Sequence, residues 1–144
     1  AIACQWLKVW LLRKDKESKI MSYYNPKHKS VAYHCGAAMA MHATIQNYAM
    51  AGVNANIVQR FYASGSRTPA LVLAKLNELS EYHFQKIKSE WLKNELKIQL
   101  NEIYVAIGDV IPVTLTLEGQ AYFALGYRQM CAELQHRRNE RMKK

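Results

Sequence analysis

Apolar residues return every three or four positions along most of the chain, and this rhythm predicts helices rather than strands. In Ile2 to Leu12, Trp6, Leu7, Trp10 and Leu11 are neighbours on a helical surface that needs a covering partner. Arg13 to Asn25 turns charged and polar up to Pro26 and reads as a solvated helix end or linker. A long helix is predicted from Ser30 to about Ala51, with a seam of Val31, Cys35, Ala38, His42, Ile45 and Ala49. Small residues around Gly36 keep this helix thin enough for another to approach closely, and Gly52 is placed to stop it.

The stretch Asn54 to Leu76 is where polar, aromatic and basic residues interrupt the pattern, and it is the expected organising element. Ile57, Val58, Phe61 and Tyr62 form the buried stripe of a short helix. Ser64-Gly65-Ser66 is expected to break that helix, and Thr68-Pro69 to restart it with Thr68 as the N-cap. The next helix carries Leu73, Leu76, Leu79, His83 and Ile87. Ser89 precedes another with Leu92, Leu96, Leu100, Ile103 and Ile107, whose other face holds Lys93, Lys97 and Glu102. Gly108 to Pro112 ends it, and Val113 to Leu115 is the one strand-like piece. Thr116 caps the last helix, with Glu118 in its first turn and a stripe of Leu117, Ala121, Ala124, Tyr127, Cys131 and Leu134. His136 to Lys144 is a basic tail. The predicted fold is an all-α helical bundle of about five to six helices with short loops. Residues 1–29 form an apolar helix and basic linker, and residues 30–144 the bundle domain with its basic tail.

A chain of 144 residues, half of them hydrophobic, can bury a single core. Its net charge of +9 is unevenly spread: residues 1–30 carry +5, residues 31–132 only +1, and residues 133–144 carry +3. A neutral body with basic ends favours an anionic polymer, most commonly nucleic acid, over a small-molecule substrate. Cys4, Cys35 and Cys131 are widely spaced without C-x-x-C, as expected of free thiols in a reducing cytosol. Met21 is a candidate internal start. No apolar run reaches the ~20 residues of a membrane span, so no membrane partner is expected.

Candidate chemistry narrows the reading further. His34, Cys35, His42, His83, Cys131 and His136 show none of the paired spacings of metal ligands, so no metal or cofactor is expected. Glu78, Glu81, Glu90, Glu95 and Glu102 are scattered among basic residues at helical spacing, as surface partners are, and no catalytic residues are expected. Arg60 and Arg67 flank the corner, together with Asn54, Asn56, Gln59, Ser64 and Ser66, where free amides at the start of the next helix could join them in holding a phosphate. Lys27, Lys29, Lys75, Arg128, Arg137 and Arg138 are further candidate nucleic-acid contacts. Tyr62 continues the apolar stripe and is assigned to the core rather than to base stacking. A structural adaptor with basic ends that serve solubility remains the alternative.

Three blocks then carry a resemblance: A-Y-H-C-G at Ala32–Gly36, N-A-N-I-V-Q-R-F-Y-A-S-G-S-R-T-P-A at Asn54–Ala70, and L-T-L-E-G-Q-A-Y-F-A-L-G-Y at Leu115–Tyr127. In this order they resemble the C-terminal helical region of the large subunit of the type I-C CRISPR Cascade complex, a region that family also makes separately as the small subunit. The chain departs from the family's pattern at Arg128-Gln129-Met130-Cys131, where Y-H-Q-R is common after the tyrosine. Gly119 also replaces a commonly acidic residue. The resemblance implies a non-catalytic subunit of an RNA-guided complex. Its expected partners are the large subunit, backbone subunits, further small-subunit copies, guide RNA and target DNA.

Overall fold

The computed structural model describes residues 23–50 and 56–143, so Cys4, the N-terminal tryptophans, Met21, Gly52 and Asn54 lie outside the described residues. Five helices follow in order: α1 (Val31–Ala49), α2 (Ile57–Arg67), α3 (Pro69–Lys86), α4 (Glu90–Ile107) and α5 (Leu117–Met142). Among the described residues there is no strand, and the architecture is an all-α bundle.

Three helix starts follow from local sequence. The hydroxyls of Ser30, Ser89 and Thr116 accept hydrogen bonds from the amides of Tyr33, Leu92 and Gly119 at 3.1–3.3 Å, satisfying donors that have no partner within the helix. Asn56 and Gln59 form a reciprocal capping box at the start of α2.

The organising element is α1 rather than the α2–α3 corner. Every residue from Ala32 to His42 is buried, and α1 packs against all four other helices, most extensively against α5. The predicted seam is too narrow, because a central helix must be apolar or small on all sides. Its contact with α5 is backbone on backbone. A Cβ on Gly36 would strike the Phe123 carbonyl, at 2.8 Å from its carbon and 2.9 Å from Tyr127 N. A Cβ on Gly126 would strike the Tyr33 carbonyl, at 2.7 Å from its carbon. Two glycines, one on each helix, thus set the distance between α1 and α5.

This crossing corrects the predicted stripe of α5. Leu117 is 84% exposed and Ala121 and Ala124 are also exposed, while Phe123, Gly126, Gln129, Met130 and Leu134 are buried. The helix is turned by roughly one residue, about 100°, from the expected register, because glycine contact outweighs the leucine count.

The corner also differs from expectation. Ser64-Gly65-Ser66 stays helical: the Thr68 hydroxyl donates to the Ser64 carbonyl at 3.0 Å and the Ser66 hydroxyl to Ala63 at 2.9 Å, which satisfies both within the last turn. Thr68 therefore makes no side-chain cap for α3 and is the single residue between the two helices. The segment predicted as strand-like is an irregular strap. Ala70 N donates to the Pro112 carbonyl at 3.1 Å and Leu115 N to the Arg67 carbonyl at 2.9 Å.

A polar network crosses the core. His42 bonds Ser80 Oγ through Nδ1 at 2.5 Å and Tyr104 Oη through Nε2 at 2.9 Å, joining α1 to α3 and α4. Burial, and secondarily the neighbouring His83, pulls the His42 imidazole down to about 3.

Gly36→Ala and Gly126→Ala should each lower stability by about 1–3 kcal/mol or more despite alanine's better helix propensity, since the obstruction is backbone. Gly65→Ala clashes with the flexible end of Met39, Cε at 2.6 Å, and otherwise meets Val72 and Phe123 side-chain atoms at 3.4 and 3.5 Å, so it should cost far less; urea midpoints for the three variants, if equal, contradict this account. Below pH ~6.5 the unfolded chain protonates His42 and the folded chain does not until about 3, so stability is complete above that window and falls as pH drops through it. His42 alone should lower the unfolding free energy by about 1.2 kcal/mol between pH 6 and 5, and an unchanged value would refute buried neutral His42.

Candidate nucleic-acid interface

Seven residues separate Arg60 from Arg67 on α2, which places them on one helical face about 10 Å apart along the axis. Both are exposed, as are Ala63 and Ser64 between them, so two guanidinium groups bracket a low, small-residue surface. Neither has a carboxylate partner among the described residues. The Arg60 guanidinium carbon lies 5.0 Å from the centre of the Phe61 ring, a contact that steadies the charge without neutralising it. The axial spacing matches about three steps of a stacked nucleic-acid strand at 3.4 Å per step.

The base of this face is fixed from α1. Gln46 Oε1 accepts from Ile57 N at 2.9 Å, and Ile57 is buried. Tyr62 turns inward and meets Phe123 and Tyr127 edge-on, with ring centroids 5.5 and 5.0 Å away, as a core aromatic does. Arg128, exposed, follows Tyr127 directly.

The amide cradle expected at the corner is not formed. Pro69 has no N–H, and the Ala70 N–H is taken by Pro112. Asn56 and Gln59 use their side chains in the capping box, and Ser66 uses its hydroxyl within the helix. What remains for a phosphate on α2 is the guanidinium pair, with the exposed Ser64 hydroxyl between.

Lys27 and Lys29 are exposed on a segment held down by the A-Y-H-C-G block. His34 Nε2 donates to the His28 carbonyl at 2.7 Å, which fixes the tautomer and leaves Nδ1 to accept from the Tyr24 hydroxyl at 2.7 Å. Burial lowers the His34 pKa and keeps the ring neutral. The Tyr33 hydroxyl accepts from Asn25 N at 2.8 Å and donates to Gln129 Oε1 on α5. The His28 ring stacks on Tyr33 with centroids 4.0 Å apart and meets Tyr122 edge-on. Within the block, Tyr33 and His34 thus hold the lysine segment, and Gly36 admits α5.

The other predicted contacts separate by pairing. Lys75 lies 3.5 Å from Glu78, and Arg137 lies 3.0 Å from Glu133. Arg138 is exposed with no carboxylate partner among the described residues. The basic tail is helical to Met142, so Arg137 and Arg138 stand on the surface of α5. Arg141, in the same basic tail, donates through Nη2 to the Tyr48 hydroxyl on α1 at 2.8 Å.

Among the described residues, no three His, Cys, Asp or Glu side chains converge as metal ligands would, and no helix is long and apolar enough to cross a membrane. Cys35 is buried and Cys131 half-buried, both as free thiols. No curated protein matches the chain. A family model described as CRISPR-associated protein (Cas_Csd1) matches residues 1–134 and so covers α1 to α4 and most of α5. The chain therefore belongs to the Cas_Csd1 family of CRISPR-associated proteins.

Proposed function

We propose that this protein is a non-catalytic subunit of a type I-C Cascade complex that holds target DNA through sequence-independent contacts to its backbone. Family membership supports the CRISPR setting. The observation that carries the contact is the carboxylate-free arginine pair on the exposed face of α2. Guanidinium groups bind phosphate with charge-assisted hydrogen bonds and carry no base preference of their own when they do. Lys27, Lys29 and Arg128 supplement this contact, whereas Lys75 and Arg137 contribute less because a neighbouring carboxylate already compensates their charge.

A second reading, a structural adaptor between subunits, draws on a different surface. Trp91, Ile98 and Val105 recur every seven residues along the outer face of α4 and are 60%, 55% and 72% exposed. Such a stripe suits a partner helix, and the two readings place their contacts on different helices.

Binding of the purified chain to single- and double-stranded DNA across a salt series separates them. Arg60→Glu/Arg67→Glu should flatten the log–log salt slope on single strands by about 0.7 per lost phosphate contact, with helicity unchanged. Equal slopes for wild type and double variant would move the function to the α4 face.

A further inference from the structure

Between the last turns of α1 and the second half of α5 lies a groove of about 470 Å³, within the usual range for ligand sites. Asn47 and Tyr48 form one wall, Gln135 and Arg138 the other, with Cys131 and Leu134 lining it further in. Its charge distinguishes it from the two smaller grooves, which contain Glu81 in one case and Glu95 and Glu140 in the other. Among the described residues that line this groove, Arg138 is the single charged side chain and there is no carboxylate. The Arg141 hydrogen bond to the Tyr48 hydroxyl fixes the ring at the groove wall.

We propose that this groove receives a single unstacked base of a DNA strand, with the strand's phosphate at Arg138; this rests on the DNA-binding reading above. The polarity of the lining selects a base over a bare anion. Asn47 and Tyr48 belong to the last turn of α1, which holds no basic residue of its own, so the helix dipole there disfavours a phosphate. A neutral heterocycle with donors and acceptors on its edge suits that end. Gln135 donates through Nε2 to Asn139 Oδ1 at 3.1 Å, which leaves its Oε1 to accept from an exocyclic amino group. The Asn47 amide offers both a donor and an acceptor. Tyr48 supplies an aromatic surface and Leu134 an apolar one, as sequence-tolerant base sites do. Arg138, exposed at the rim, meets the phosphate where solvent already surrounds it.

The test compares the full purified chain on a short single strand and on the same strand with its bases replaced by abasic sites. Wild type should bind the intact strand at least about fivefold more tightly, the lower limit for one stacked base. Tyr48→Leu, which removes the stacking ring and keeps an apolar side chain, should abolish that ratio, and Gln135→Ala, at an exposed position that does not support the core, should reduce it. Arg60→Glu/Arg67→Glu should weaken both strands and leave the ratio in place. Salt-dependent binding that is equal for intact and abasic strands overturns the groove proposal alone. Absence of binding to either strand overturns this proposal together with the DNA-binding reading.

Discussion

The rest of the molecule depends on one close approach, where α1 and α5 cross at Gly36 and Gly126 with no side chain between the backbones. Each glycine gives up helix propensity, about 1 kcal/mol relative to alanine. The dispersion contacts of two helices in backbone contact offset that cost. With α5 this near, Phe123 and Met130 are carried into the core and Gln129 reaches the Tyr33 hydroxyl. That bond in turn secures the turn bearing Lys27 and Lys29, while Tyr62 of α2 fits against Phe123 and Tyr127. The basic surface is thus set indirectly by a neutral contact.

Charge is sorted by the same construction. The body of the bundle is nearly neutral, and two of its buried histidines are engaged within the fold, His42 with Ser80 and Tyr104 and His34 with Tyr24 and His28, while His83 Nδ1 and Gln99 Oε1 are buried without a hydrogen-bond partner among the described residues. Several exposed cations are compensated by carboxylates three or four residues away on their own helix, each pair worth only a few tenths of a kcal/mol. Arg60, Arg67 and Arg138 stand outside this pairing among the described residues. A protein that grips a polyanion along its backbone needs such uncompensated positions, spaced along a surface rather than gathered in a cleft.

What the sequence revealed was what depends on near neighbours. The caps at Ser30, Ser89 and Thr116, the Pro69 start of α3 and the α4 stripe through Leu96, Leu100, Ile103 and Ile107 all follow from residues within a turn or two. Arg60 and Arg67 were named from the sequence as flanking a corner, and their common face follows only because Ser64 to Ser66 stay helical. The register of α5 was not legible, because it is decided by a glycine some ninety residues away on α1. The corner departs from its local signals in two ways. The hydroxyls of Ser66 and Thr68 bond backward into the helix instead of breaking or capping it, and the free amide expected at Ala70 is taken by Pro112 from a distant strap. The groove beside Tyr48 likewise forms only when the ends of α1 and α5 meet.

The most direct measurement is arginine labelling with phenylglyoxal, read site by site by mass spectrometry with and without single-stranded DNA. The account predicts that DNA slows modification of Arg60 and Arg67 and leaves the Glu133-paired Arg137 nearly unchanged. Equal labelling of Arg60 and Arg67 in both conditions, at DNA concentrations where the complex is formed, would contradict the assignment of the α2 face to the nucleic-acid backbone.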